Sequence, residues 1–297
     1  MRDVKVSEIE QDRNYEKKGY LYDDFRMFHL KDDVGKQYEY HYHDFYKILI
    51  CISGTVTYNI EGRSYRLKPY DIVLVNRNDI HRPVVEAGDD YERVIFYISK
   101  EYLDRHRGED YELGCPFLLA SEKQVNVLRF PAVTNTRLFE VVRAMERNAE
   151  ENAYAGKLYA NVLFMEFMIL LCRACAEHPG CFSNSVTYNQ KMIDILRYIN
   201  DHLSEELSVE TIAEHFYISR YHMMRQFKEE TGYTIHQYIT EKRILKAKGL
   251  IQAGVPATQA CYACGFQNYS TFSRAYKSLE EKNGFAPKAQ DKSEAEN

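Results

Sequence analysis

The sequence predicts a two-domain α+β chain: an N-terminal β-barrel backed by a helical segment, and a C-terminal all-α domain built on two helix-turn-helix units. Three observations carry this. Residues 20 to 100 alternate short apolar runs with turn signals. Near residue 134 the apolar period changes from that of strands to that of helices. The last hundred or so residues hold an internal repeat, each copy of which reads as two short helices around a tight turn.

The barrel rests on the runs YKILICIS, TVTYNI, YRL, DIVLVN and ERVIFYIS, separated by Ser53-Gly54, Glu61-Gly62, Pro69-Tyr70-Asp71 and Gly88-Asp89. Many short strands at regular spacing predict a sandwich or small barrel. Further along, Leu138, Val141, Val142 and Met145 recur at helical spacing, and so do Leu158, Val162, Met165, Ile169 and Cys172. These stripes predict helices over about 134–151 and 154–176, with apolar faces for the barrel or for a second subunit. His178-Pro179-Gly180 ends the second helix, and the small, polar residues after it are expected to form a linker. The expected layout is a barrel over 1–130, a helical dimerisation segment over 131–180, a linker over 181–188, a helical domain over 189–290 and a tail over 291–297.

A chain of 297 residues suits two or three domains, and 45% hydrophobic with 28% charged residues fits a soluble protein. The N-terminal stretch has no apolar core of a secretory signal. The longest apolar stretch, Val162 to Cys172, is interrupted by Glu166 and is too short to span a bilayer. A cytoplasmic protein without a membrane partner is expected. Its seven cysteines are then expected as reduced thiols. Net charge is −5, yet the window from Ile218 to Ser278 carries +6 and the rest of the chain −11. A basic island in an acidic chain is the footprint of a nucleic-acid surface.

The repeat lies inside that island. Ala213-Glu214-His215-Phe216-Tyr217-Ile218 aligns with Cys261-Tyr262-Ala263-Cys264-Gly265-Phe266 at an offset of 48. After one extra residue, Met223-Met224-Arg225-Gln226-Phe227-Lys228 aligns with Phe272-Ser273-Arg274-Ala275-Tyr276-Lys277. Each copy has a helix with a small residue, a turn, and a second helix of the form apolar–x–Arg–x–aromatic–Lys. That is helix-turn-helix grammar, in which the second helix enters the major groove of double-stranded DNA.

Residues 190 to 288 resemble the DNA-binding module of the AraC/XylS family of bacterial regulators, through Leu207, Ile212-Ala213, Ser219, Phe227-Lys228, Gly232, Tyr238, Arg243, Ala247, Leu250, Gly265-Phe266, Phe272-Ser273-Arg274, Lys277 and the Gly284…Pro287 pair. The resemblance implies two units on one face, joined by a long helix at about Ile235–Gln252, entering successive major grooves. The sequence departs from the pattern at Tyr217, where the first turn usually carries Gly, at Ala260-Cys261, in about three extra residues before Gly284, and after Pro287. The expected base-reading residues are Arg220, Tyr221, His222 and Arg225 in the first unit, and Gln267, Asn268, Ser270, Thr271 and Arg274 in the second. Arg suits guanine, Gln and Asn suit adenine, and the Thr methyl suits thymine. Lys228, Lys242, Arg243, Lys246 and Lys277 are expected at phosphates.

The stretch from His41 to Pro83 resembles the cupin-type sensing barrel common in that family. His41, His43 and His81 stand where metal-binding cupins carry their histidines, but Lys47 lies about where the acid should be. A cation beside a metal is unfavourable, so no metal or cofactor is expected. His41, His43, Tyr46, His81 and Arg82 are instead expected to line a small-molecule effector pocket, with Tyr58 a further candidate. The pairs Cys172/Cys175 and Cys261/Cys264 have zinc-like spacing. Cys261 and Cys264, however, fall on Ala213 and Phe216 of the repeat, where free thiols pack well.

The expected function is a sequence-specific, effector-controlled transcriptional regulator. It is read as an activator, with a carbohydrate as a candidate effector, homodimeric, able to recruit RNA polymerase, and with no catalytic residues. The alternatives are a metal-dependent cupin enzyme tethered to DNA, and a regulator whose barrel serves only for dimerisation.

Overall fold

The computed structural model describes residues 21, 23–32, 37–151, 153–183 and 186–282. The predicted tail, Gly284 and Pro287 lie outside this range. The chain divides into two compact units, one spanning Leu21–Asn189 and one beginning at Gln190.

The first unit contains two antiparallel sheets. One has the strand order β1 (Phe25–Asp32), β7 (Tyr91–Ile98), β2 (Tyr46–Ser53), β5 (Ile72–Val75), β8 (Val127–Leu128). The other has the order β6 (His81–Val85), β3 (Val56–Ile60), β4 (Arg63–Arg66), β9 (Val186–Tyr188). β2 and β7 read as near-continuous apolar runs because both their faces are covered. One face of the five-stranded sheet sends Phe45, Leu49, Cys51, Val73, Val75, Ile95 and Tyr97 into the space between the sheets. There they meet Val56, Tyr58, Ile60 and Tyr65 of the second sheet. The other face presents Ile48, Ile50, Leu74, Val94, Phe96 and Ile98 to the helices. β3 alternates buried with half-buried residues, as a one-sided strand should. Its hairpin to β4 turns at Glu61 and Gly62, both left-handed with φ of 44° and 76°, which matches the twist of the strands.

Four helices complete this unit: α1 (Lys100–Arg105), α2 (Cys115–Lys123), α3 (Ala132–Glu151) and α4 (Gly156–Glu177). The stripe Leu138, Val141, Val142, Met145 of α3 is buried within the unit. The α4 stripe is not. Leu163, Phe164, Phe167, Met168, Leu171 and Ala174 are buried, while Leu158, Val162 and Ile169 are 64%, 49% and 38% exposed. The expected stripe thus lies one face away from the side that packs on the sheet. At 22 residues α4 is long and apolar enough, by length and composition alone, to cross a bilayer, a test that the core helix of a globular unit also passes. Its eight buried side chains seat it in the core of the unit.

The predicted linker is also partly paired. Arg129 N–H donates to the Cys181 carbonyl at 2.7 Å, Ser183 N–H donates to the Val127 carbonyl at 2.8 Å, and β9 pairs with β4. Its polar composition reads as a loop, but the free edges of β4 and β8 satisfy its backbone.

The second unit is helical: α5 (Gln190–Asp201), α6 (Val209–His215), α7 (Arg220–Thr231), α8 (Ile235–Gln252), α9 (Ala257–Ala263) and α10 (Tyr269–Lys282). Capping explains the starts. Ser208 with Thr211 and Thr234 with Gln237 form reciprocal boxes at α6 and α8. α7 ends at Gly232 in the left-handed conformation. α8 is the centre of the unit, touching α5, α7, α9 and α10.

The two inter-helix turns are equivalent in backbone and unequal in surroundings. Tyr217 and Gly265 both have positive φ, 51° and 85°. Tyr217 is 94% exposed, so its side chain has room despite the strained backbone. At Gly265 an added Cβ would stand 2.3 Å from the Leu203 carbonyl oxygen. Tyr217→Gly should therefore stabilise the second unit by about 0.5–1 kcal/mol, and Gly265→Ala should destabilise it by about 2 kcal/mol or more, read by scanning calorimetry. A destabilised Tyr217→Gly would show that the tyrosine ring makes an important contact.

Candidate nucleic-acid interface and effector barrel

α6 and α7 form the first helix-turn-helix unit. The Ser219 hydroxyl accepts the His222 N–H at 3.3 Å and starts α7. Met223 and Phe227 are fully buried, with Phe227 edge-on to Tyr238 of α8 at 5.3 Å between centroids. Burying that face turns Arg220, Tyr221, His222 and Arg225 outward, and all four are exposed. Arg220 pairs with Glu210 at 2.6 Å and Arg225 lies 3.9 Å from Glu229. Both pairs are solvent-exposed and cost little to open. The Arg220 guanidinium holds the Glu210 carboxyl below its ordinary pKa.

α9 and α10 repeat the arrangement. Asn268 occupies the place of Ser219, and its Oδ1 accepts the N–H groups of Ser270 at 2.8 Å and Thr271 at 3.3 Å. Phe272 is buried against Phe266 at 5.3 Å, and Tyr276 packs on Phe272 at 5.6 Å while half-buried. Gln267, Asn268, Ser270, Thr271 and Arg274 are all exposed. One expectation changes here. Reading adenine at two points needs both Oδ1 and Nδ2 of Asn268, and the helix start already uses Oδ1. Cys261 and Cys264 are buried free thiols whose pKa values burial raises.

The five expected phosphate cations separate into two kinds. Lys228 and Lys277 are exposed on the reading helices, and Lys242 lies half-buried over the Tyr238 ring at 5.3 Å. Arg243 turns inward instead: Nε donates to the Leu203 carbonyl at 2.8 Å and Nη2 to the Glu205 carbonyl at 2.6 Å. Lys246 Nζ donates to Ser204 Oγ at 2.9 Å. Arg243 thus ties the segment after α5 to the central helix. Its position on a basic helix could not reveal carbonyls forty residues away.

In the barrel the three histidines do come together. His41 and His81 are bridged backbone to backbone, with rings 4.3 Å apart, and the His43 and His81 rings are 4.8 Å apart. Nδ1 of each is engaged with a backbone carbonyl: His41 with Glu39 at 2.9 Å, His43 with Phe45 at 2.8 Å and His81 with Asp79 at 2.8 Å. That fixes the neutral tautomer with Nε2 as acceptor. His43 and His81 are buried, and their Nε2 atoms find no hydrogen-bond partner among the described residues. Burial lowers both pKa values well below 6.5; Lys47 and then His41 lower that of His43 further, and His41, His43 and Lys47 that of His81.

Two expected pocket residues face elsewhere. Tyr46 packs on Phe117 of α2 at 4.7 Å, on the helix side of the sheet. Arg82 stacks on Tyr40 at 4.2 Å, next to His81 but on the opposite face of β6. Lys47 takes the interior position instead, 4% exposed and 5.7 Å from the Tyr97 ring. The alternation of β2 could have revealed it. These residues do not fit the divalent ion of a metal-binding cupin: the fourth position holds an ammonium rather than a carboxylate. Among the described residues no group of three or more His, Cys, Asp or Glu side chains is arranged for an ion.

Two family models match this architecture. An AraC-like ligand binding domain matches residues 28–168 and a helix-turn-helix domain matches residues 212–282. The chain belongs to the AraC family of transcriptional regulators. This AraC-family chain is similar to the HTH-type transcriptional activator RhaS of Enterobacter sp. (strain 638), with 29% identity over 243 residues, 80% of this chain and 82% of the relative. RhaS of Escherichia coli (strain SMS-3-5) is 26% identical over 242 residues, with the same shares of each chain. A solved structure of ToxT from Vibrio cholerae aligns with 86% of this chain and 95% of its own at 18% identity, with a TM-score of 0.35. The AraC-family chain is a ligand-controlled, DNA-binding regulator of transcription.

The buried neutral histidines set a pH dependence. Their folded pKa values lie below 6.5, so the unfolded chain binds protons that the folded chain refuses. Their contribution to stability is full above about pH 6.5 and is lost as pH falls, at up to about 1.4 kcal/mol per pH unit per histidine. Urea unfolding between about pH 7 and 5 should show this slope, and His81→Gln should reduce it. An unchanged slope in that variant would refute a neutral, buried His81.

Proposed function

We propose that this regulator is an activator that acts in the cytoplasm as a homodimer. It sets α7 and α10 into successive major grooves of its operator and recruits RNA polymerase when a small molecule occupies the barrel. The observation that carries the DNA reading is the shared register of the two units. Ser219 and Asn268 cap, Met223 and Phe272 are buried, and Arg225 and Arg274 face outward at equivalent places. In this reading Arg220, Tyr221, His222 and Arg225 contact bases in one groove, and Gln267, Ser270, Thr271 and Arg274 in the next. Asn268 presents at most its amide nitrogen. Lys228, Lys242 and Lys277 hold phosphates, while Arg243 and Lys246 chiefly hold the module together.

The effector site is His41, His43 and His81 with Lys47. Two imidazole acceptors and an ammonium suit a ligand rich in hydroxyl groups, which keeps a carbohydrate as the leading candidate. No catalytic role is assigned, because Lys47 stands where a metal-dependent cupin needs its acid. The outward apolar stripe of α4, Leu158, Val162 and Ile169, is the dimer surface of this reading.

Arg225→Ala and Arg274→Ala should each weaken specific operator binding by about 1–3 kcal/mol in gel shifts. Retention of full affinity by both would overturn the base assignment. Val162→Glu should move the protein from dimer to monomer in sedimentation at micromolar concentration, while the barrel stays folded by circular dichroism. A Val162→Glu dimer would place the interface elsewhere.

A further inference from the structure

Four of the seven cysteines gather where α2 meets α4, and neither the DNA surface nor the barrel interior uses them. Cys115 is the first residue of α2. Cys172 and Cys175 lie one turn apart on α4, and Cys181 follows the turn that ends it. The Cys172 Sγ is 3.8 Å from the Glu112 carbonyl oxygen and 3.6 Å from that of Leu113. The Cys115 N–H donates to the same Glu112 carbonyl at 3.1 Å. α4 therefore delivers Cys172 to the start of α2, where its thiol hydrogen-bonds the Cys115 sulfur. Cys175 and Cys181 form a second hydrogen-bonded pair beside the first. The pairs differ in access: Cys115 and Cys172 are half-buried, whereas Cys175 and Cys181 are buried.

Cys115 has the surroundings of a nucleophile. It sits in the first turn of a nine-residue helix, where the macrodipole favours a thiolate. The hydrogen bond from Cys172 holds its pKa below the ordinary thiol value. Burial and then the Glu112 carboxylate work the other way, and that carboxylate is itself drawn toward Arg107 at 3.8 Å. A partly exposed thiol of lowered pKa with a second thiol beside it is the arrangement of a redox-active pair.

We propose that Cys115 and Cys172 form a dithiol oxidised by hydrogen peroxide, closing to a disulfide between α2 and α4. The Cys115 thiolate attacks one peroxide oxygen, the O–O bond breaks, and hydroxide leaves to become water with the proton Cys115 released. Cys115 is now a sulfenic acid. The Cys172 sulfur attacks the Cys115 sulfur, the S–S bond forms, and the departing hydroxide takes the Cys172 proton as a second water. Two thiols lose two electrons in all, and one peroxide becomes two waters. The bond crosses from α2 to the helix whose outer stripe is the proposed subunit surface, so oxidation acts on the layer that supports that surface.

The test uses the full chain, purified reduced and treated with equimolar hydrogen peroxide. Free thiols are then alkylated and the digest is mapped by mass spectrometry. Most chains should yield a Cys115–Cys172 cross-linked peptide that dithiothreitol abolishes. Cys261 and Cys264 should be alkylated only after denaturation. In Cys172→Ser, Cys115 should stop at a sulfenic acid that dimedone traps. The proposal is overturned if Cys115 and Cys172 both remain alkylatable after peroxide. It is equally overturned if the Cys175–Cys181 pair closes while Cys115 stays reduced.

Discussion

Every second side chain of β2 points to the same side, and both sides of this strand are covered. That constraint organises the whole first unit. Phe45, Lys47, Leu49 and Cys51 face the space between the sheets, and Tyr46, Ile48 and Ile50 face the helices. Its neighbours β5 and β7 obey the same division through their registers with it. A slip of one residue would exchange the two sets and put Tyr46 where Lys47 now lies. The chemistry of the barrel interior is thus decided by parity along one strand. It is also why an ammonium, and not a carboxylate, stands beside His43 and His81.

The second unit depends on a different economy. Two short helix-turn-helix units cannot each bury a core of their own, so both lean on α8. Phe227 meets Tyr238 on one side, and Arg243 and Lys246 hold the segment after α5 on the other. Exposed residues on α7 and α10, the DNA-facing set of the proposed reading, are left over because the inward faces are already committed. The pseudo-repeat is broken where the surroundings differ. The first turn meets solvent and tolerates Tyr217. The second meets the Leu203 carbonyl and admits only Gly265.

Much of this was legible in order along the chain. The helices of the second unit, the buried Met223, Phe227 and Phe272, and the exposed Arg225 and Arg274 follow from local period and capping, which neighbours in sequence determine. Asn268 was readable as polar and exposed. Its use as a cap depends on where α10 starts, which is uncertain by a residue or two from sequence. The stripe of α4 leaves open whether it meets the barrel or a second subunit because the helix is apolar almost all round, so regular spacing carries no information about which side the sheet covers. The polar composition of 181–188 suggested a loop, although two strand edges were waiting for its backbone.

The sequence by itself determined the class of the protein: a strand-rich half, a helical half, and a repeated reading unit with its charge concentrated there. Those are properties of short windows, and short windows are where period, turn chemistry and charge density act. Only the tertiary structure decided which of these residues share a site. It brought His41 and His43, in the segment before β2, to His81 at the start of β6 and set Lys47 among them. It turned Tyr46 and Arg82 away, drew Arg243 inward, and set Cys172 beside the start of the helix that carries Cys115. The physical reason is the same in each case. A side chain's direction follows from local backbone geometry, but what stands opposite it depends on how distant elements pack to cover their apolar faces.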